Sequence, residues 1–265
     1  MWELTEFDGV TLPDGKVRGT LKSFDTIDTV VQVAGGIPYD TYGDQIAPAK
    51  ADALQHVAAM HNTTATALET AYRALTAKRG QKGKLYRTWY ASQETEWVYA
   101  RLKSVEAPRD PTFANLIKGM TCTFVPLSQC WFGRAHTHSF ALTSSFAQSL
   151  TNAGNVAAPG MILTVDVGST AITSFVFSLL IGASYQEIFT YSNGIGAYKT
   201  LRIDFGTKEI TLDGVPAYNS FRLGINNPYD DWFLLPAGTS TVRIDILGGN
   251  ALQDTVQFEY YDSFA

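Results

Sequence analysis

Four histidines, two cysteines and one pair of adjacent carboxylates beside a tryptophan are the side chains whose spacing invites chemistry. His136 and His138 stand at alternate positions, so a strand would put both imidazoles on one face. A metal there would need a carboxylate or a third histidine from elsewhere in the chain. His56 and His61 are five apart, off the i, i+4 spacing of a helical metal pair. Asp230 and Asp231 precede Trp232, a grouping that can hold a sugar or supply an acid and a base. The same residues describe an ordinary turn leading into a buried strand of Phe233, Leu234 and Leu235. Cys122 and Cys130 have neither a Cys-x-x-Cys spacing nor a neighbouring histidine pair, and read as buried free thiols. No glycine-rich phosphate loop, nucleophile elbow or zinc-ligand array completes any of these sets. The expectation is a protein with no catalytic residues, no metal and no cofactor.

Composition narrows the classes further. A chain of 265 residues is comfortable for two domains of the usual size, roughly 100 to 150 residues each. It is 45% hydrophobic, 12% aromatic and 17% charged, against roughly 25% charged in typical soluble domains. Such numbers describe either a tightly packed β protein or a surface that partners cover. The net charge of −5 argues against direct nucleic-acid binding, which needs clustered cations to neutralise phosphates. The basic run Lys78, Arg79, Lys82, Lys84 and Arg87 follows an expected helix and reads as cations complementing the helix dipole. No basic start leads into an apolar run, and the stretch Ile172 to Ala183 is broken by Thr173, Ser174, Ser178 and Gly182. Neither a signal peptide nor a membrane span is expected.

The elements that must position these residues follow from periodicity. The first 36 residues read as strands punctuated by Asp8-Gly9, Pro13-Asp14-Gly15 and Gly35-Gly36. From Pro48 to Lys78, Leu54, Val57, Ala58, His61, Ala65, Leu68, Tyr72 and Leu75 recur at three- and four-residue steps, which predicts an amphipathic helix stopped by Gly80. Asn62-Thr63-Thr64 would kink it or supply a second N-cap. Lys84 to Val105 reads as a hairpin with a polar turn at Ser92 to Thr95, followed by a strand near Met120 to Val125. Phe132 to Thr137 reads as a linker. Beyond His138 turn signals recur every ten to fifteen residues, among them Asp213-Gly214 closing the strands of Leu201 to Phe221. The expected fold is mainly β: residues 1–131 form a β-sandwich with one long α-helix, 132–137 a linker, and 138–265 an all-β sandwich or jelly roll.

The segment DWFLLPAGTSTVRI, after the hairpin LRIDFGTKEITLDGVPAY, resembles the C-terminal part of distal tail proteins and related minor tail proteins of long-tailed bacteriophages. The helix end LTAKRGQKGKLYR followed by WVYARLKSV is similar to that family's N-terminal half. The insert Ala183 to Lys199 has no counterpart in it. The resemblance implies a structural subunit of the virion tail tip, made in the host cytoplasm. Its N-terminal domain would form a homo-hexameric ring on the tail tube protein. A galectin-like C-terminal domain would face outward as a baseplate hub for tail-tip or receptor-binding proteins. On that reading the hairpin aromatics Trp89, Tyr90, Trp97 and Tyr99 are candidates for contact with the neighbouring subunit. Tyr218, Phe221, Tyr229 and Trp232 are candidates for contact with a partner or with host surface carbohydrate, a carbohydrate-binding adhesion module being the alternative function.

Overall fold

A computed structural model describes residues 2–13, 15–18, 54–59, 64–110, 116–117, 119–128, 130–224, 232–249 and 253–265. The turn signal at Gly35-Gly36, the sequence Asn226-Asn227-Pro228, which also reads as a turn, and His61 lie outside the described residues. The chain divides into two compact units, one of Met1–Gly133 with Ala265 and one of Arg134–Phe264.

The first unit contains β1 (Trp2–Phe7), β2 (Val10–Thr11), β3 (Gly15–Arg18), β4 (Leu54–Ala59), α1 (Ala65–Ala77), β5 (Lys82–Trp89), β6 (Thr95–Glu106), β7 (Arg109–Asp110), β8 (Leu116–Ile117) and β9 (Gly119–Pro126). Its strands pair antiparallel in the order β2-β1-β5-β6-β9-β4-β3. Asp8 and Gly9 take φ of 47° and 81°, the left-handed pair that a two-residue hairpin needs, and join β1 to β2. The hairpin β5–β6 forms as its alternation predicts, with Leu85 opposite Val98 and both buried.

The expected long helix is two elements. Leu54–Ala59 is a strand held on both sides, by β3 and by β9, and the helix starts only at Ala65. A run as short as Leu54, Val57 and Ala58 fits either period, and two flanking ladders outweigh the weak helical preference. Thr64 is the N-cap, its Oγ1 accepting from the Ala67 amide at 3.2 Å, so the second-cap reading of Asn62-Thr63-Thr64 describes the true start. Leu68, Ala71 and Leu75 form the buried stripe of α1.

β10 (Trp131–Ala141) starts in the first unit, where Phe132 pairs with Trp97, and runs on into the second. Phe132 to Thr137, expected as a linker, are therefore strand residues. The exposed Ala135, Thr137 and Ser139 alternate with the half-buried His136, His138 and Phe140, as a pleat requires.

The second unit continues with β11 (Ser145–Asn152), β12 (Ile162–Asp166), β13 (Ile172–Ile181), β14 (Ser184–Tyr191), β15 (Thr200–Asp204), β16 (Glu209–Leu212), β17 (Val215–Pro216), β18 (Phe221–Leu223), β19 (Gly238–Gly248) and β20 (Thr255–Phe264). It is a two-sheet β-sandwich. One sheet runs β17-β16-β15-β12-β20-β10 and the other β11-β19-β13-β14-β18. Leu163, Val165, Leu201, Ile203 and Phe258 from the first meet Phe175, Phe177, Phe189, Val242 and Ile244 from the second in one core. Phe177 lies edge-on to Phe233 at 5.3 Å and stacks on Phe189 at 5.2 Å, geometries worth about 0.5–1.5 kcal/mol each beyond burial. The stretch Ala183 to Lys199, read as an insert, supplies β14 and buries Ile188, Phe189, Tyr191 and Ile195, so it is integral to the sandwich.

A single buried side chain ties the start of this unit to its end. Asn152 donates from Nδ2 to the Val156 carbonyl at 2.8 Å, and its Oδ1 accepts from the Gly154 and Ser263 amides, both at 3.0 Å. Truncation would orphan these buried backbone groups, so Asn152→Ala is expected to cost about 2–4 kcal/mol in chemical denaturation. A loss below about 0.5 kcal/mol would show that the loop does not depend on this amide.

Candidate interaction surfaces

Period-two alternation gives the β5–β6 hairpin two unlike faces. Inward, Arg87 and Glu96 are opposite one another and both buried, with Arg87 Nε donating to Glu96 Oε2 at 2.6 Å. The Arg87 guanidinium lies 4.2 Å from the centre of the Trp131 ring, 5.2 Å from Trp89 and 5.4 Å from Trp2. Burial pulls Arg87 below its ordinary pKa, and the Glu96 carboxylate works against that shift. Trp89 donates from Nε1 to the other Glu96 oxygen at 2.9 Å, so this ring belongs to the cage and not to an outer surface. Tyr90, about half exposed at the tip, donates to Glu3 at 2.7 Å.

Outward, Trp97 lies edge-on to Tyr99 at 5.1 Å and against Phe132 at 4.6 Å. Lys84 Nζ stands 4.1 Å from the Trp97 ring centre and Lys82 Nζ 4.9 Å from that of Tyr99. Of the four hairpin aromatics, Trp89 therefore faces inward, Tyr90 stands at the exposed tip, and Trp97 and Tyr99 share the opposite face, where Trp97 is buried and Tyr99 half-buried. The structure also corrects the reading of the basic run. Lys82, Lys84 and Arg87 are strand residues interleaved with aromatic rings, and Lys78, the helix C-cap, bonds to the Asp8 carboxylate and carbonyl. The alternation Lys82, Lys84, Tyr86 facing Trp97, Tyr99, Arg101 was present in the sequence, but only the hairpin register shows that these residues share a side.

In the second unit Phe221 and Trp232 stack face to face at 5.1 Å and 10°, Phe221 also stacks on Phe189, and Trp232 meets Phe205 edge-on. Both rings are half-buried extensions of the core, which leaves Tyr218, 48% exposed, as the open ring among the described candidates. Tyr229, Asp230 and Asp231 lie outside the described residues. Large apolar side chains that spacing did not single out are exposed here, notably Tyr198, Val215 and Leu247.

His136 and His138 do share a face, their rings stacked 6.0 Å apart, with His136 also stacked on Tyr260. His136 Nε2 is 3.0 Å from Asp262 Oδ2 but off the line of a hydrogen bond, while Asp262 Oδ1 accepts from the Ala153 amide. Among the described residues no three metal-ligating side chains converge. Cys122 and Cys130 are buried and unbridged, and burial pushes the Cys122 thiol up from 9.0 to about 12. Among the described residues no helix is long and apolar enough to cross a membrane.

No family model matches the chain, and no curated protein matches it. Among solved structures it aligns with the SPP1 Dit protein, described as a paradigm of the hub adsorption apparatus in phages infecting Gram-positive hosts. That alignment covers 97% of this chain and 92% of the other, with a TM-score of 0.53 and 14% identity. The chain has the fold of SPP1 Dit. Two structures of the phage p2 baseplate, activated with Sr and with Ca, align over 98% of this chain and 90% of theirs at 8% identity, with TM-scores of 0.34 and 0.35. The likeness to SPP1 Dit therefore lies in the order and pairing of elements, and the side chains described above are this chain's own.

Two outcomes test the site. Glu96→Ala would leave Arg87 buried without its carboxylate, and denaturant melting should show a loss of about 3–5 kcal/mol. A near-neutral result would mean that the tryptophan cage holds the guanidinium unaided. The Cys122 thiol, held up near 12 in the fold and near 9.0 when unfolded, contributes stability that is complete below pH 9 and lost as pH rises through 12. Native protein should resist thiol labelling at Cys122 at pH 8, and its urea midpoint should fall between pH 9 and pH 11 in a way that Cys122→Ala lacks. Rapid labelling of the native protein would overturn this.

Proposed function

We propose that this chain is a structural subunit of a bacteriophage tail tip, a distal tail protein. On this reading the first unit assembles into a homo-hexameric ring at the end of the tail tube, and the second faces outward as a hub for tail-tip or receptor-binding proteins. One observation carries it: the shared fold spans both units, 97% of this chain, of a protein described as an adsorption hub. Fold likeness alone assigns no activity. The surfaces supply independent support, since the first unit presents cations laid over aromatic rings, and the second exposes scattered apolar side chains on a rigid sandwich. Such features suit contacts that form on assembly. The carbohydrate reading has weaker grounds, because Phe221 and Trp232 cover each other's faces. No enzymatic role is proposed.

Within this reading the outer face of β5–β6, where Tyr99, Lys82 and Lys84 lie around the buried Trp97, is the surface that reaches the neighbouring subunit. Electron microscopy of the purified full chain should show closed rings with sixfold symmetry, with the tail tube protein added if a template is needed. Lys82→Glu combined with Lys84→Glu should reduce ring formation at least about tenfold while leaving the thermal midpoint nearly unchanged. A chain that stays monomeric under all these conditions would defeat the proposal, and rings untouched by the double variant would move the interface elsewhere.

A further inference from the structure

Among the described residues, the two large sheets end in strands that are guarded in the usual ways, with one long exception. β17 has two residues and ends in Pro216, β18 has three and carries Arg222, and β2 has two. β3 has four residues, and the part of β10 beyond Phe132 carries Arg134. Short length, proline and charge are what keep a sheet edge from pairing with another chain. β11, the end strand of the second sheet of the sandwich, has none of these. Its eight residues, SFAQSLTN, include no charge, proline or glycine, and it pairs with β19 along its whole length without a bulge.

The direction of its backbone groups can be read from its partners. Thr151 donates its amide to Tyr260 Oη and accepts from the same hydroxyl, so the odd-numbered residues of β11 point away from β19. Two close hydroxyl pairs agree: Thr151 with Thr239 at 3.1 Å and Ser149 with Thr241 at 3.4 Å, as expected where opposite residues exchange no backbone bonds. Tyr260 therefore closes one end of the edge. Thr143 Oγ1 covers the Ser145 carbonyl and Gln148 Nε2 the Ser149 carbonyl, both flexible covers that an incoming strand can displace. The amide and carbonyl of Ala147 have no partner among the described residues, and Ala147 and Ser149 are exposed.

We propose that the free edge of β11, from Ser145 to Ser149, is a strand-addition site that takes an extended segment of a partner protein. Outward N–H and C=O groups repeating at every second residue match the backbone of one further strand. Its side chains would alternate. Those beside Ala147 and Ser149 face solvent on the outer side of the sheet and fit small hydroxylated residues. Those beside the half-buried Phe146 and Gln148 lie toward the core and fit apolar ones. Tyr260 sets the limit of the added strand at the Thr151 end. This deepens the hub reading by naming how one partner docks, and it is separable from ring assembly because strand addition needs no neighbouring subunit.

The test uses the full chain and a soluble peptide that alternates threonine and valine between terminal lysines. Hydrogen exchange at residues 145–149 should slow about tenfold at saturating peptide, with no such change on the β18 edge. Ala147→Pro removes an outward donor while sparing the ladder to β19, so this variant should melt normally and lose the protection. The same peptide N-methylated at alternate residues should fail on the unaltered protein, which keeps the test valid if the proline variant does not fold. Protection that is absent, that falls elsewhere, or that survives either block would overturn the proposal. So would a peptide-free dimer abolished by Ala147→Pro, since the edge would then belong to a second copy.

Discussion

The pairing of Leu85 with Val98 fixes two environments on one hairpin, because in a pleated strand each neighbour of a buried residue must face the other way. With those two inside, Arg87 and Glu96 are also inside, and the pair is tolerable there only because it meets itself and three tryptophans. The same register sends Lys84, Tyr86, Tyr99 and Trp97 to the opposite face, where Trp97 is buried under its neighbours and the other three stay half-buried. A slip of one residue would bury the lysines and expose the ion pair. The buried pair and the outer face are thus set by one and the same register.

Charge is distributed in keeping with this division. Residues 1–133 contain 14 basic and 14 acidic side chains, whereas residues 134–265 contain 6 basic and 11 acidic ones, so the whole net charge of −5 belongs to the second unit. A neutral unit whose cations rest on aromatic rings can approach copies of itself without a large repulsive field. An acidic unit resists indiscriminate association of its exposed Tyr198, Val215 and Leu247.

Much of this architecture is written in local sequence. The Asp-Gly pairs sit where left-handed backbone is required, Asp213 and Gly214 at φ of 51° and 77°, and the strands around them keep strict alternation. The mainly β fold and the hairpin after Gly80 were legible for that reason. The errors share one cause, namely that the deciding interaction is distant in sequence. Leu54–Ala59 is strand because β3 and β9 flank it, 36 or more residues away. Phe132 to Thr137 looked like a linker because its polar residues alternate with rings that face inward only once β20 is beside them. Likewise, the stacking of Phe221 on Trp232 is a contact that spacing alone does not show.

The two surfaces proposed for assembly draw on different physics, and this separates their behaviour. Contacts through Lys82, Lys84, Trp97 and Tyr99 act through charge and ring quadrupoles near the surface, which salt at 1 M screens within about 3 Å. Strand addition at β11 acts through neutral backbone dipoles at hydrogen-bonding distance, where screening by ions has little reach. Each can therefore be strengthened or weakened without the other: one by the charge carried on the β5–β6 face, the other by whether the edge of β11 stays free of charge and proline. If the chain forms the proposed ring and holds different partners outside it, that independence is useful, because changing the outer partner would leave the ring contacts untouched.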